Sequence, residues 1–215
     1  MAEEKKEKKS GKSALYEFCR GLAWLLLHTL LPVRYEHAER IQLDAPFIVI
    51  GNHLSLLDPV VVALAVKRYQ LHFLAKRELA KVGVVRWFLE KLHTIFVDRH
   101  NSDMEAMRSC MRVLKEGNAL CVFPEGTRHH QGLMEEIESG VALMALRGRV
   151  PVIPVYIQGK LRLFRRLDVL IGEPIPTEDL RAEGVNSQTC AQMLERITST
   201  YAQMAEEKGK KDKNT

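Results

Sequence analysis

An α/β fold, with a mixed, largely parallel sheet covered by helices and a membrane-interface helix at the N-terminus, is what this sequence predicts. Two observations carry it. From Val33 onward, short runs rich in Val, Ile and Phe alternate with segments of helical length and periodicity, and such alternation belongs to sheets whose crossovers are helices. Ahead of them stands an apolar run, Ala14 to Leu31, whose polar members Ser13, Glu17, Arg20 and His28 recur at helical spacing in one narrow stripe. At 215 residues and 46% hydrophobic, the chain can build one good-sized core.

The elements follow in order. Residues 1–12 are a Lys/Glu-rich run, expected to be a disordered charged arm and unlike a secretory signal. Residues 13–32 are the helix. A spanning helix needs about 20 mostly apolar residues, and this one is interrupted by charge, so it suits the membrane interface with Trp24 near the headgroups. Packing on the protein's own core is the other reading. Residues 33–206 form one domain, and 207–215 a disordered tail.

Within the domain, strands are expected at Val33–Leu43, Phe47–Ile50, His72–Ala75, Thr94–Val97, Ala119–Phe123, Val152–Ile157 and Leu167–Ile171. Helices are expected at Pro59–Arg68, Val84–Leu92, Ser102–Glu116, Ile137–Arg147 and Ser187–Glu206. Asp58 can cap the helix that opens at Pro59, and Asn101, Ser102 or Asp103 the third one. Gly117 and Gly148 stand where a helix end favours positive φ.

Charge and cysteine usage narrow the function. A net charge of +5 and a pI near 9.0 favour an anionic partner. No basic stripe interleaved with aromatics points to nucleic acid. The cysteines Cys19, Cys110, Cys121 and Cys190 have neither zinc-site nor disulfide-framework spacing, and the histidines show no metal-ligand pattern. No metal is expected.

Polar runs follow the ends of apolar strands, where an open α/β sheet builds its site. Asn52-His53-Leu-Ser-Leu-Leu-Asp58 offers a base and a carboxylate. If residues 53–57 turn, Asp58 can take one ring N–H of His53 and leave the other nitrogen as a proton acceptor. The bland alternative is that Asp58 only caps its helix. Phe123-Pro-Glu125-Gly126-Thr127-Arg128 is a turn whose backbone N–H groups and guanidinium suit an anion, or an ordinary surface turn. Arg99 ends another strand.

Together these runs resemble the motifs of the glycerolipid acyltransferases, in family order: Asn52-His53-x4-Asp58, Ile95-Phe-Val-Asp-Arg99, Phe123–Arg128 and Val150-Pro151-Val-Ile-Pro154-Val155. Within that family the likeness is to the bacterial-type 1-acylglycerol-3-phosphate (lysophosphatidate) acyltransferases, over about residues 33–175. The resemblance implies that His53 is the general base and Asp58 its orienting partner. It places Arg99, Glu125, Gly126, Thr127 and Arg128 at the acyl acceptor, with Lys76 and Pro154 also lining the substrate site. It implies no cofactor. The acyl thioester, acyl-CoA or an acyl-carrier protein, is a co-substrate, and lysophosphatidate and an anionic membrane surface are the other partners. The enzyme is then expected on the cytoplasmic face of the cell membrane, peripheral or monotopic. Lys160-Leu-Arg-Leu-Phe-Arg-Arg166 suits an anionic lipid surface or a plain basic loop.

Where many members carry a lysine before a glycine after the third motif, this chain has Glu136-Ile-Glu-Ser-Gly140, which leaves the acceptor headgroup open. Another lysophospholipid or an acyl-amino-acid lipid is the alternative acceptor. A non-catalytic lipid-binding module is the alternative class.

Overall fold

The computed structural model describes residues 13–44, 46–98, 103–125, 134 and 137–213, with side chains to Lys210. Seven strands, β1 (Val33–Glu36), β2 (Ile48–Gly51), β3 (Leu71–Lys76), β4 (Thr94–Val97), β5 (Ala119–Val122), β6 (Val152–Gln158) and β7 (Leu167–Ile171), make one sheet in the order β1-β7-β6-β2-β5-β3-β4. The five strands β2 to β6 run parallel. β7 is antiparallel to β6, and β1 parallel to β7. The first residues of β1 and β7 therefore lie at the end of the sheet where β2 to β6 finish.

Seven helices complete the described fold: α1 (Ala14–Thr29), α2 (Asp58–Ala65), α3 (Gly83–Lys91), α4 (Met104–Lys115), α5 (Gly140–Gly148), α6 (Glu178–Ala182) and α7 (Ser187–Lys213). α2 and α3 carry the chain from β2 to β3 to β4, toward one edge, while α4 and α5 carry it back through β5 to β6. Right-handed crossovers in opposite directions fall on opposite faces of a sheet. Two cores match this division. Ile48, Ile50, Leu120, Val122 and Val152 pack with α4, α5 and α7. Phe47, Val49, Cys121, Ile153 and Val155 pack with α1 and α2. With side chains alternating between two covered faces, central strands become continuous apolar runs.

Several expectations are corrected. The predicted strand Val33–Leu43 stops at Glu36, because His37 takes a left-handed backbone (φ 59°) and Ala38–Ile41 form a 3-10 turn that buries Ile41. Gly148 lies inside α5; Arg149 instead holds the positive φ of 56°. A Cβ at Gly148 would sit 2.8 Å from Leu114 Cδ1, so that glycine serves close approach of α4 and α5. The short α6 lies between expected elements. Residues 207–213 belong to α7 rather than to a disordered tail, and Lys208 explains it: its buried Nζ lies 2.7 Å from Glu36 Oε1 and 3.8 Å from Asp168 Oδ2. Among the N-cap candidates, Asp103 accepts from Ala106 N (2.9 Å).

α1 turns the usual amphipathic pattern around. Tyr16 and Leu27 are buried, Arg20 and Ala23 half-buried, and the helix packs on α2. Phe18, Leu22, Trp24, Leu25 and Leu26 face outward, exposed. One face thus packs on the core, and the other is apolar and uncovered. Among the described residues, no helix is long and apolar enough to cross a membrane.

Candidate active site

The site lies between β2 and β5, adjacent strands whose chains leave toward opposite sides of the sheet. That divergence opens a crevice at the carboxyl ends of the strands. His53 follows β2 by two residues and Glu125 follows β5 by three.

His53 and Asp58 meet through a turn. Asp58 is fully buried, and its Oδ2 accepts from Leu54 N and Ser55 N, both at 2.6 Å. The same oxygen lies 3.0 Å from His53 Nδ1. The carboxylate therefore reaches back into the turn that precedes its helix and makes no cap bond to α2. Its role as a mere helix cap is set aside. An ionised carboxylate only accepts, so the neutral ring carries its proton on Nδ1 and leaves Nε2 with a free lone pair. The imidazole is one-fifth exposed, so solvent and substrate can reach it.

Two further contacts fix the ring. Glu125, buried, accepts from His53 N at 3.1 Å. A carboxylate from the third motif thus anchors the peptide of the first. The Phe123 ring tilts against the imidazole, centroids 4.6 Å apart. Phe123 can come that close because residue 51 is glycine: a Cβ there would lie 2.9 Å from Phe123 Cε1.

Asn52 locks the floor of the site with reciprocal bonds to Ile157, Nδ2 to O at 2.9 Å and Ile157 N to Oδ1 at 2.7 Å. Pro154 is buried in β6, an interior strand. Where the ladder needs help, Tyr201 of α7 supplies it: its hydroxyl donates to Ile50 O (2.8 Å) and accepts from Val155 N (3.2 Å). Burial holds the Tyr201 phenol well above its ordinary range, so it stays protonated. Tyr201 escaped sequence reading; its helix follows the motifs by some distance, and only its aromatic-apolar periodicity hinted at burial.

Of the predicted site residues, His53, Asp58 and Glu125 are brought together. Lys76 ends β3, exposed, two strands from β2. Pro154 is one strand away, paired with Ile50. Arg99, Gly126, Thr127 and Arg128 lie outside the described residues, as does the His129-His130 pair. Beside Phe123 and Pro124, on the α4–α5–α7 face, a cavity of about 1020 Å³ is lined largely by apolar side chains including Leu74, Met107, Met144 and Leu194. Burial pushes the Cys110 thiol up to about 12, which makes it inert at neutral pH. Among the described residues, no group of three or more His, Cys, Asp or Glu could hold a metal ion.

An imidazole oriented by a buried carboxylate at a strand end, backed by Phe123 that lines the cavity, and with no hydroxyl or thiol hydrogen-bonded to it among the described residues, is a general-base arrangement. The chain belongs to the acyltransferase family, whose pattern matches residues 32–158. It is 28% identical over 170 residues to the 1-acyl-sn-glycerol-3-phosphate acyltransferase of Bacillus subtilis, covering 77% of this chain and 84% of that one. The Streptococcus pneumoniae protein of the same name is 29% identical over 205 residues, covering 92% and 75%. The crystal structure of the 1-acyl-sn-glycerophosphate (LPA) acyltransferase PlsC from Thermotoga maritima superposes with a TM-score of 0.66 at 28% identity, covering 86% of this chain and 76% of that one.

Proposed function

We propose that this protein moves a fatty acyl group from a thioester to the free hydroxyl of 1-acylglycerol-3-phosphate, making phosphatidate. The observation that carries the proposal is the His53 Nδ1 to Asp58 Oδ2 contact of 3.0 Å, which leaves Nε2 as the accepting nitrogen. Nε2 removes the hydroxyl proton as the oxygen attacks the thioester carbonyl. The tetrahedral intermediate then expels the thiolate as the C–S bond breaks, and the imidazolium returns the proton to sulfur. No acyl-enzyme forms. Asp58 steadies the imidazolium while it exists, and Glu125 holds the histidine's peptide in place.

Arg99 and Arg128 are assigned the acceptor phosphate by motif position, since a planar guanidinium pairs phosphate through two parallel bonds. Gly126 and Thr127 are assigned to the same acceptor site by motif position. Lys76, at the end of β3, is assigned to the substrate site by its resemblance to the family segment before the second motif. The apolar cavity beside Phe123 suits an acyl chain, and Pro154 supports the floor of the site from below. The chemistry needs no metal or organic cofactor; acyl-CoA or an acyl-carrier protein is the donor. The outward apolar face of α1 supports seating on an anionic, cytoplasmic-face membrane surface.

Because this chain lacks the lysine before Gly140, another lysophospholipid is the second acceptor to test. Purified protein with acyl-CoA and a panel of lysolipids, scored for thiol release and product, decides between them. Lysophosphatidate is expected to be the preferred acceptor. No product from it, with turnover of another lysolipid, would move the assignment to that lipid.

A further inference from the structure

A soluble helix hides one face. α3 hides little: it has no fully buried residue, only Leu89 is half-buried, and Val84 (78%), Trp87 (57%), Val85 and Phe88 are exposed. The 3-10 turn before it, Arg77–Lys81, likewise buries nothing and exposes Leu79, and Val82 between the two is exposed as well. Contiguous exposed apolar surface of this kind marks an interaction site. Its charge selects the partner. Within residues 76–91, Lys76, Arg77, Lys81, Arg86 and Lys91 stand against only Glu78 and Glu90. Apolar side chains mixed with an excess of lysine and arginine match an anionic lipid surface, which takes aromatics at headgroup level and attracts bases.

The topology says where this surface sits. Arg77–Lys81 leaves the carboxyl end of β3, the end of the sheet that carries His53. Exposed Leu56 and Leu57 leave the carboxyl end of β2 at that same end. Because β1 and β7 run in reverse, Leu30 and Phe164 also lie there, joined by Phe164 N to Leu30 O at 2.8 Å. Phe164 is 70% exposed and held at φ 57°, a conformation unusual for a bulky residue. Uncovered apolar side chains thus border the site end from the β1–β7 side, from its middle and from the β3–β4 side.

We propose that residues 77–91 are a second membrane-seating element that begins at the active-site end of the sheet, on the other side of the site from the C-terminal end of α1, and runs back along the β4 edge, so that the crevice opens beside the lipid surface. The inference deepens the lipid-substrate reading above and is measured without turnover, so its failure leaves the acyltransferase chemistry untouched.

The chain has two tryptophans, Trp24 on α1 and Trp87 on α3. The variant Trp24→Phe, exposed on α1 and outside the site, leaves Trp87 as the single reporter. With vesicles of phosphatidylcholine and phosphatidylglycerol, Trp87 emission is expected to shift to the blue and to be quenched by bromine-labelled acyl chains. In the full chain, Val84→Asp with Trp87→Asp is expected to lower partitioning onto these vesicles roughly tenfold to a hundredfold. Both positions are exposed, and an unchanged unfolding transition confirms the fold. Bound protein with an unshifted, unquenched Trp87 would overturn the proposal, since α1 alone would then do the seating. So would absence of vesicle binding. A Trp87 response to soluble, acidic acyl-carrier protein but not to vesicles would also overturn it, assigning the face to a protein partner.

Discussion

Replacing Asp58 by asparagine separates the two things its carboxylate does. An amide oxygen in place of Oδ2 still accepts from Leu54 N, Ser55 N and His53 Nδ1. The amide nitrogen takes the position of Oδ1, which is buried with no hydrogen-bond partner among the described residues. One buried unsatisfied atom replaces another, and the fold and the ring tautomer are retained. Only the charge is lost. With Oδ2 3.0 Å from Nδ1, the two charge centres are about 4 Å apart, worth about 4 kcal/mol at an effective dielectric of about 20. The neutral ground-state ring gains none of this; the transition state gains it in proportion to the proton transferred. Between half and full transfer, the barrier rises by about 2 to 4 kcal/mol, a loss of roughly 30-fold to 1,000-fold in kcat with KM little changed. Thiol release from acyl-CoA, with lysophosphatidate varied, measures both constants. A variant within about threefold of the parent kcat, with an unchanged unfolding curve, would refute an electrostatic role for Asp58. Asp58→Ala, by contrast, strands the buried Leu54 N–H and the part-buried Ser55 N–H and is expected to cost stability too, at about 1–3 kcal/mol for the buried group and less for the other.

Three other outcomes are checked more briefly. Gly51→Ala drives a Cβ into Phe123 and is expected to displace the ring that backs His53, lowering kcat more than thermal stability; kinetics and melting together decide it. Tyr201→Phe leaves Val155 N without its acceptor and is expected to destabilise the fold by about 1–3 kcal/mol in urea unfolding. His72, lowered to about 4 chiefly by burial and secondarily by His93, is neutral when folded but charges near its usual ~6.5 when unfolded. Its contribution is therefore intact above about pH 6.5 and is lost as pH falls from there toward 4. Because the ring is partly solvated, about 1–2 kcal/mol is expected after screening, and His72→Phe should flatten the urea midpoint over that window. A midpoint with the same pH slope in the variant would exclude His72 as the source.

Much of the fold was legible because its central strands are buried on both faces, so each announces itself as an unbroken apolar run. All seven strands fall where strands are expected, within a residue or two except at the first, where the turn begun by His37 carries no Gly or Pro to mark it. Pro154 stands in an interior strand, against the usual place of a ladder proline. Proline in a ladder suggests an edge, yet a hydroxyl from a helix near the far end of the chain does the bonding at its neighbour Val155. Lys208 looked like a solvated tail because nothing local shows that Glu36 and Asp168 will meet it. At the site, the order of motifs pointed to His53, Asp58 and Glu125. Sequence left Asp58 divided between cap and catalytic partner, since the choice depends on a turn whose hydrogen bonds no periodicity encodes. The bond from His53 N to Glu125 was equally out of reach, being 72 residues long in sequence. The inverted polarity of α1 needed the same knowledge of what lies beneath it.

The most direct test of the central claim compares the parent protein with His53→Ala on vesicles carrying lysophosphatidate and acyl-CoA, following thiol release together with phosphatidate formed. Equal amounts of thiol and phosphatidate are expected from the parent, with turnover lost in His53→Ala while its unfolding transition is unchanged. Phosphatidate made by His53→Ala at close to the parent rate would contradict His53 as the general base.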